Sequence, residues 1–145
     1  MNHNFKSTWR PLATAITLAL LVSGAQTAMG ADMKVTLSGA HEVPAVTTAA
    51  TGSGTITVGM DMAVSGGITT TGIAATAAHI HEAAAGKNGP VIVPMTKSGD
   101  NMWTIAAGAK LTDAQMASLK AGNLYVNVHS AANPGGEIRA QLSAP

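Results

Sequence analysis

Cysteine is absent from the 145-residue chain, and charged and aromatic residues are scarce. Without cysteine there are no disulfide bonds, no thiol catalysis, no zinc fingers or iron–sulfur sites, and no lipid anchor on an N-terminal cysteine. Charged residues make up 10% of the chain, against about 25% in average globular proteins. The surface must therefore consist mainly of Thr, Ser, Asn, Gly and Ala. Eight Lys/Arg against seven Asp/Glu give a net charge of +1, which excludes a basic nucleic-acid-binding surface and an acidic solvating tail.

Residues 1–30 have the three-part layout of a secretory signal. Lys6 and Arg10 form a positive head, residues 12–22 form a short apolar run, and Ala-Met-Gly at 28–30 fits a cleavage site before Ala31. The run is well short of the roughly 20 residues that span a bilayer, so we expect no membrane span after cleavage. The sequence predicts a periplasmic or secreted protein whose single domain covers residues 31–145.

Short strand-like segments, separated by Gly- or Pro-containing breaks, fill most of this domain. Several of them alternate apolar and polar residues with a period of two, as a strand with one buried face requires. The segments are 33–38, 55–58, 62–70, 73–81, 91–95, 102–106, 124–129 and 137–142. This spacing predicts an all-β fold, either an antiparallel sandwich or a barrel.

One short helix is predicted to interrupt the strands. Thr112 and Gln115 have the spacing of a capping box, Leu111 and Met116 stand at the hydrophobic-staple positions, and Gly122 is expected to end the helix. We interpret this helix as a connector packed on one end of the strands, since about two turns are short for a binding helix.

Four histidines follow residue 30, and three of them lie in predicted strands: His79, His81 and His129. Side chains two apart on a strand share a face. Ile80 on one strand and Val128 on another are predicted to face the core. The three histidines, which are their neighbours on these strands, are therefore expected on the outer face. A His-x-His pair on a strand suits copper or zinc, because both rings can reach one ion. The alternative is a set of exposed histidines hydrogen-bonded to loop backbone.

Three motifs resemble one family. They are Leu-Ser-Gly-Ala-His-Glu-Val-Pro at 37–44, His-Ile-His-Glu at 79–82 with Gly-Lys-Asn-Gly-Pro-Val at 86–91, and Asn-Leu-Tyr-Val-Asn-Val-His at 123–129 with Pro-Gly-Gly-Glu-Ile-Arg at 134–139. In this order they resemble the CHRD domain, the module named for the extracellular signalling antagonist chordin. The resemblance covers about residues 34–142.

The CHRD family is in turn similar to copper/zinc superoxide dismutase. That similarity implies an antiparallel Greek-key β-sandwich of immunoglobulin or superoxide-dismutase type, with one short connector helix. It implies that His79 and His81 are paired copper ligands, that His129 is a late ligand, and that Arg139 guides an anionic substrate. The segment 82–87 is mostly Ala and Gly, where the dismutase has a His-rich loop. This departure favours a mononuclear site over a dinuclear one.

Other candidate residues have simpler interpretations. His41 lies in a loop and is expected to be incidental rather than a fourth ligand. Met60 and Met62 offer thioethers to copper(I), but a turn and core packing explain them equally well. Glu42 and Glu137 are either paired carboxylates or, as we expect, capping groups or partners of Arg139. The predicted surroundings of the metal are Tyr125, Glu137 and Arg139, and Trp103 is expected in the core.

Three functions are consistent with these observations. We favour a secreted or periplasmic binding module with one metal, copper preferred over zinc, on His79, His81 and His129. The second is an interaction module that binds another extracytoplasmic protein without metal. The third is a redox enzyme of dismutase type, which the missing second-metal loop disfavours. We assign no catalytic residue.

Overall fold

The computed structural model describes Met1 and residues 30–144, so the predicted signal lies almost wholly outside the described residues. These residues form eight strands, one α-helix and a single 3-10 turn, Gly39–His41. All eight predicted strand segments are confirmed, with shifted ends. The strands are β1 Ala31–Ser38, β2 Thr51–Val58, β3 Val64–Thr71, β4 Ala75–Glu82, β5 Val91–Gly99, β6 Met102–Ile105, β7 Leu124–Ser130 and β8 Ile138–Leu142.

All neighbouring strands are antiparallel and close into a barrel in the order β1-β2-β3-β6-β5-β4-β7-β8. The prediction of a sandwich was therefore inexact, since the strands form one closed barrel instead of two separate sheets. The closing contact between β1 and β8 is short and pairs Ser38 with Arg139. Strand twist brings the two edges together, and pairing them leaves no open sheet edge at this junction.

The core lies inside the barrel and is built from the alternating apolar positions of the strands. Ile80 on β4, Val126 and Val128 on β7 and Ile138 on β8 are all fully or almost fully buried. Each such side chain contributes about 1.5–3 kcal/mol by leaving water. Trp103 on β6 also lies in the core, as predicted. The opposite faces of β4, β7 and β8 therefore carry side chains that are not part of this core.

The helix α1, Asp113–Lys120, begins and ends as its sequence predicts. Thr112 and Gln115 form the complete capping box. At the other end Gly122 has a φ of +74°, and the amides of Gly122 and Asn123 donate to the carbonyls of Leu119 and Ser118, the Schellman arrangement. No helix among the described residues is both long and apolar enough to cross a membrane.

Candidate metal centre

The three strand histidines lie on the side of β4 and β7 that faces away from the barrel core. Their strand neighbours Ala78, Ile80 and Val128 are core residues, so alternation directs the imidazoles outward. The β4–β7 register pairs His79 with Asn127, and His81 with Tyr125. The predicted directions of the histidines are thus consistent with the packing of the strands.

Loops cover most of this outer face. Every residue of β7 is buried, on both faces of the strand. His81 is 7% exposed and His129 is 9% exposed. The two segments that follow β1 and β4 lie over the face, where the Asn88 amide donates to the Val43 carbonyl at 2.6 Å. His81 and His129 therefore belong to a second, polar interior between the barrel wall and these loops, and the partly exposed His79 lies at its edge.

The structure brings together all three predicted ligand residues. One ligand atom each from His79, His81 and His129 lies within 4.8 Å of the other two. His79 Nδ1 is 3.0 Å from His129 Nε2, and the His79 and His81 ring centroids are 5.5 Å apart. Three imidazoles at this separation can close around one ion with small side-chain rotations.

Backbone carbonyls orient two of the three rings. His81 Nδ1 lies 2.9 Å from the Gly89 carbonyl oxygen, and His129 Nδ1 lies 2.9 Å from the Pro134 carbonyl oxygen. A carbonyl only accepts, so Nδ1 carries the proton in both rings and Nε2 keeps its lone pair. A carbonyl that accepts from the other ring nitrogen orients a histidine ligand in a metal site. His81 Nε2 is buried and has no hydrogen-bond partner.

Tyr125 and Arg139 form a stack beside His81. The His81 and Tyr125 rings are nearly parallel, with centroids 4.9 Å apart, and the Arg139 Cζ lies 3.4 Å from the Tyr125 centroid. Arg139 is only 1% exposed and donates to the Lys87 carbonyl at 2.9 Å. A guanidinium held under a loop does not face an incoming anion, so the guiding role implied for Arg139 is not supported. Its contacts instead hold the loop that supplies Gly89.

Neither Glu42 nor Glu137 forms the expected ion pair with Arg139. Within the part of the chain that the structure describes, the ion pair within 4.0 Å joins Lys110 and Asp61. Glu137 accepts hydrogen bonds from Ser130 and, at 2.7 Å, from the Thr48 hydroxyl. These bonds lower the pKa of Glu137, and they tie the segment after β1 to β8.

Glu42 is a buried carboxylate beside the histidines. Burial raises the pKa of Glu42, an effect that the nearby Arg139 charge and the Asn127 side chain partly offset. Burial also lowers the pKa values of His79 and His81, and the neighbouring His129 lowers both further. Both rings therefore favour the neutral form, which is the form that binds metal.

The remaining sequence candidates lie away from the trio. His41 is exposed, and its Nδ1 is 3.3 Å from the Arg139 carbonyl oxygen, consistent with an incidental role. Met60 and Met62 lie in the turn between β2 and β3, and Met60 is 80% exposed. Sequence reasoning gave no role to Asn127, which is 1% exposed on the outer face. Its alternation with Tyr125 and His129 was the available signal.

Comparison with protein families gives one match, to the CHRD domain, over residues 33–142. The chain belongs to the CHRD domain family. The match runs from β1 to β8 and includes all three histidines and the loops above them. No curated protein and no solved structure matches the chain. The similarity to copper/zinc superoxide dismutase consequently stays a prediction.

Proposed function

We propose that this CHRD domain is a secreted or periplasmic binding module that holds one metal ion, copper in preference to zinc, on His79, His81 and His129. The observation that supports the proposal is the shared orientation of the imidazoles. Two rings have Nδ1 bound to a carbonyl, which leaves each Nε2 unprotonated with its lone pair, and a nitrogen of the third ring lies within 4.8 Å. Membership of the CHRD family supports the extracellular binding role.

The donor set favours copper over the other common metals. It consists of neutral imidazoles, which suit copper, zinc, iron and nickel, while calcium and magnesium prefer oxygen ligands. For a given nitrogen site, copper(II) binds more tightly than zinc. The strands that carry the rings are held by their ladders and by the core, so the site is largely preformed.

Binding fits the surroundings better than turnover of a substrate. The covering loop, residues 83–90, contains Ala, Gly, Lys, Asn and Pro but no His, Cys, Asp or Glu for a second metal. The buried Arg139 is engaged by that loop. A dismutase-type enzyme needs open access of an anion to the metal, whereas His81 and His129 are buried and His79 is only partly exposed.

One observation favours the interaction module without metal. The contact of 3.0 Å between His79 Nδ1 and His129 Nε2 is a hydrogen bond that satisfies both atoms without an ion. In that case the trio is a structural polar cluster, and the function lies on another surface of the domain.

Titration of copper(II) into the metal-free protein, followed by calorimetry, separates these alternatives. The proposal predicts one equivalent bound by the wild type and an affinity at least about 100-fold weaker in His81→Ala, because loss of one of three ligands exceeds the 10–100-fold cost of losing an outer-shell partner. His41→Ala is the matched control and should bind as the wild type does. Equal affinities of wild type and His81→Ala would refute the metal site and leave the interaction module.

Export is tested separately by the intact mass of the protein recovered outside the cytoplasm. The positive head, the short apolar run and the small residues at 28–30 predict cleavage before Ala31. A recovered mass that still includes residues 1–30 would contradict the proposed location and processing.

A further inference from the structure

Buried acceptor atoms without partners are concentrated around the histidines. Among the described residues, four buried side-chain N or O atoms have no hydrogen-bond partner: Glu42 Oε1, His81 Nε2, Asn127 Oδ1 and Trp103 Nε1. The Trp103 atom is a donor inside the barrel, but the other three are acceptors of the outer polar interior. An unsatisfied buried acceptor costs about 1–3 kcal/mol. Three together indicate that this interior is built to receive positive charge.

Asn127 lies at the centre of this polar interior. In the strand register it stands between His79 on β4 and Arg139 on β8, and its side chain is directed outward with those of Tyr125 and His129. The Asn127 side chain lies close enough to Glu42 to lower the pKa of that carboxyl, and close enough to His81 to oppose the lowering of the pKa of that ring by burial. An amide in this place must direct its oxygen to one neighbour and its nitrogen to the other.

The Glu42 carboxylate decides which way the amide points. Asn127 Nδ2 and Glu42 Oε1 lie on the same side of the amide, beside Gly136, and a carboxylate oxygen can accept from the amide nitrogen but cannot donate to the amide oxygen. Gly136 permits the approach, because a Cβ built on Gly136 would lie 2.5 Å from both Asn127 Nδ2 and Glu42 Oε1. The Asn127 oxygen is consequently left on the side of His81.

Two acceptors then share one buried space without a donor. The Gly89 carbonyl takes the proton on His81 Nδ1, so His81 Nε2 presents a lone pair, as Asn127 Oδ1 does. A second proton on His81 would relieve the conflict only by creating a positive ring. That ring would stack on Tyr125, whose ring also has the Arg139 guanidinium at 3.4 Å. A metal ion satisfies both lone pairs at once.

We infer that Asn127 Oδ1 is a fourth ligand, an oxygen, of the ion held by His79, His81 and His129, and that Glu42 is the positioning residue that orients the Asn127 amide. This inference rests on the proposed metal site. Four neutral ligands leave the full charge on the ion, and the buried Glu42 carboxylate compensates part of it without direct contact. Side-chain amide oxygens are established metal ligands in proteins.

Asn127→Leu tests the ligand, because leucine has a similar volume and no oxygen. Copper(II) should bind about 10–100-fold more weakly than to wild type, and the electron paramagnetic resonance spectrum of the copper(II) complex should change. Asn101→Leu, in the exposed turn between β5 and β6, is the matched control and should leave affinity and spectrum unchanged. Wild-type affinity with a wild-type spectrum in Asn127→Leu would overturn the inference.

Asn127→Asp keeps the test decisive if the leucine variant fails to fold. The aspartate restores an oxygen at the same place and adds a charge, so copper(II) should bind and its spectrum should differ from that of wild type. An unchanged spectrum would show that position 127 does not touch the ion. If His81→Ala binds copper(II) as tightly as the wild type does, the metal site as a whole is refuted. If His81→Ala weakens copper(II) binding but substitutions at position 127 change neither affinity nor spectrum, only the fourth ligand is refuted.

Discussion

Replacing Gly136 with alanine should destabilise the domain and disrupt the contact between Glu42 and Asn127. Gly136 has a φ of +132°, a conformation that L residues rarely adopt. The new methyl group would also lie 2.5 Å from Asn127 Nδ2 and Glu42 Oε1. Backbone strain of this kind costs about 1–3 kcal/mol, and forced overpacking adds about 1–3 kcal/mol.

The expected loss is about 2–6 kcal/mol, a large part of the 5–15 kcal/mol that typically stabilises a domain. At about 4 °C per kcal/mol for a domain of this size, the Tm should fall by about 8–24 °C. Urea unfolding followed by tryptophan fluorescence is a suitable assay, because Trp103 is buried and is the sole tryptophan after residue 30.

The adjacent glycine provides the matched control. A Cβ on Gly135 would meet nothing within 4 Å, and Gly135 is not in the left-handed region. The free energy of unfolding of Gly135→Ala should therefore lie within about 0.5 kcal/mol of the wild-type value. Equal midpoints for Gly135→Ala and Gly136→Ala would refute the close approach and, with it, the orientation assigned to Asn127.

Three further predictions follow from the core, the histidines and the position of the site. Ile80→Asn should lower the free energy of unfolding in urea by about 3–5 kcal/mol, since it puts a buried polar group where an apolar one packs. The control Thr36→Asn, at an exposed strand position, should cost little. Similar unfolding midpoints for the two variants would contradict the assigned faces. In metal-free protein, the pKa values of His79 and His81 are lowered by folding, so below about pH 6.5 the unfolded chain binds more protons than the folded chain. Stability should therefore be full above that pH and fall as the pH drops further. An unchanged slope of stability against pH in His79→Gln/His81→Gln would count against this. Chelation should lower the Tm without loss of β-sheet circular dichroism at room temperature, because the core lies on the other side of the strands; a collapsed spectrum would show that the ion holds the fold together.

The local elements could be predicted from the sequence because their causes are local. Alternation defines the strands, and the capping box of Thr112 and Gln115 with Gly122 defines the helix. The same alternation was sufficient to direct His79, His81 and His129 to one face. Each of these inferences needs only residues a few positions apart.

The burial of the outer face could not be predicted, because it depends on distant contacts. Asn88 and Val43 join two loops that are 45 residues apart, and Arg139 and Lys87 are 52 residues apart. Neither contact is encoded in a periodicity. When the loop contacts are unknown, the sequence predicts that the polar face of β7 is exposed to solvent. It likewise predicts that Arg139 is an exposed cation that pairs with a carboxylate.

Barrel closure and the role of Asn127 depend on strand pairing in the same way. The β1–β8 junction rests on the pairing of Ser38 with Arg139, about a hundred positions apart in the chain. Asn127 becomes notable only when β4 and β8 are known to flank β7, since this arrangement places it between His79 and Arg139. Alternation gives its face but not its neighbours.

Metal content of the protein as purified tests the central claim most directly. Elemental analysis of the wild type, of His79→Ala/His81→Ala and of the control His41→Ala should be made on protein recovered outside the cytoplasm. A copper site on the three histidines predicts about one copper per chain in the wild type and in His41→Ala, and a marked loss in the double variant. Equal metal content in all three proteins, or none in the wild type after exposure to copper, would contradict it.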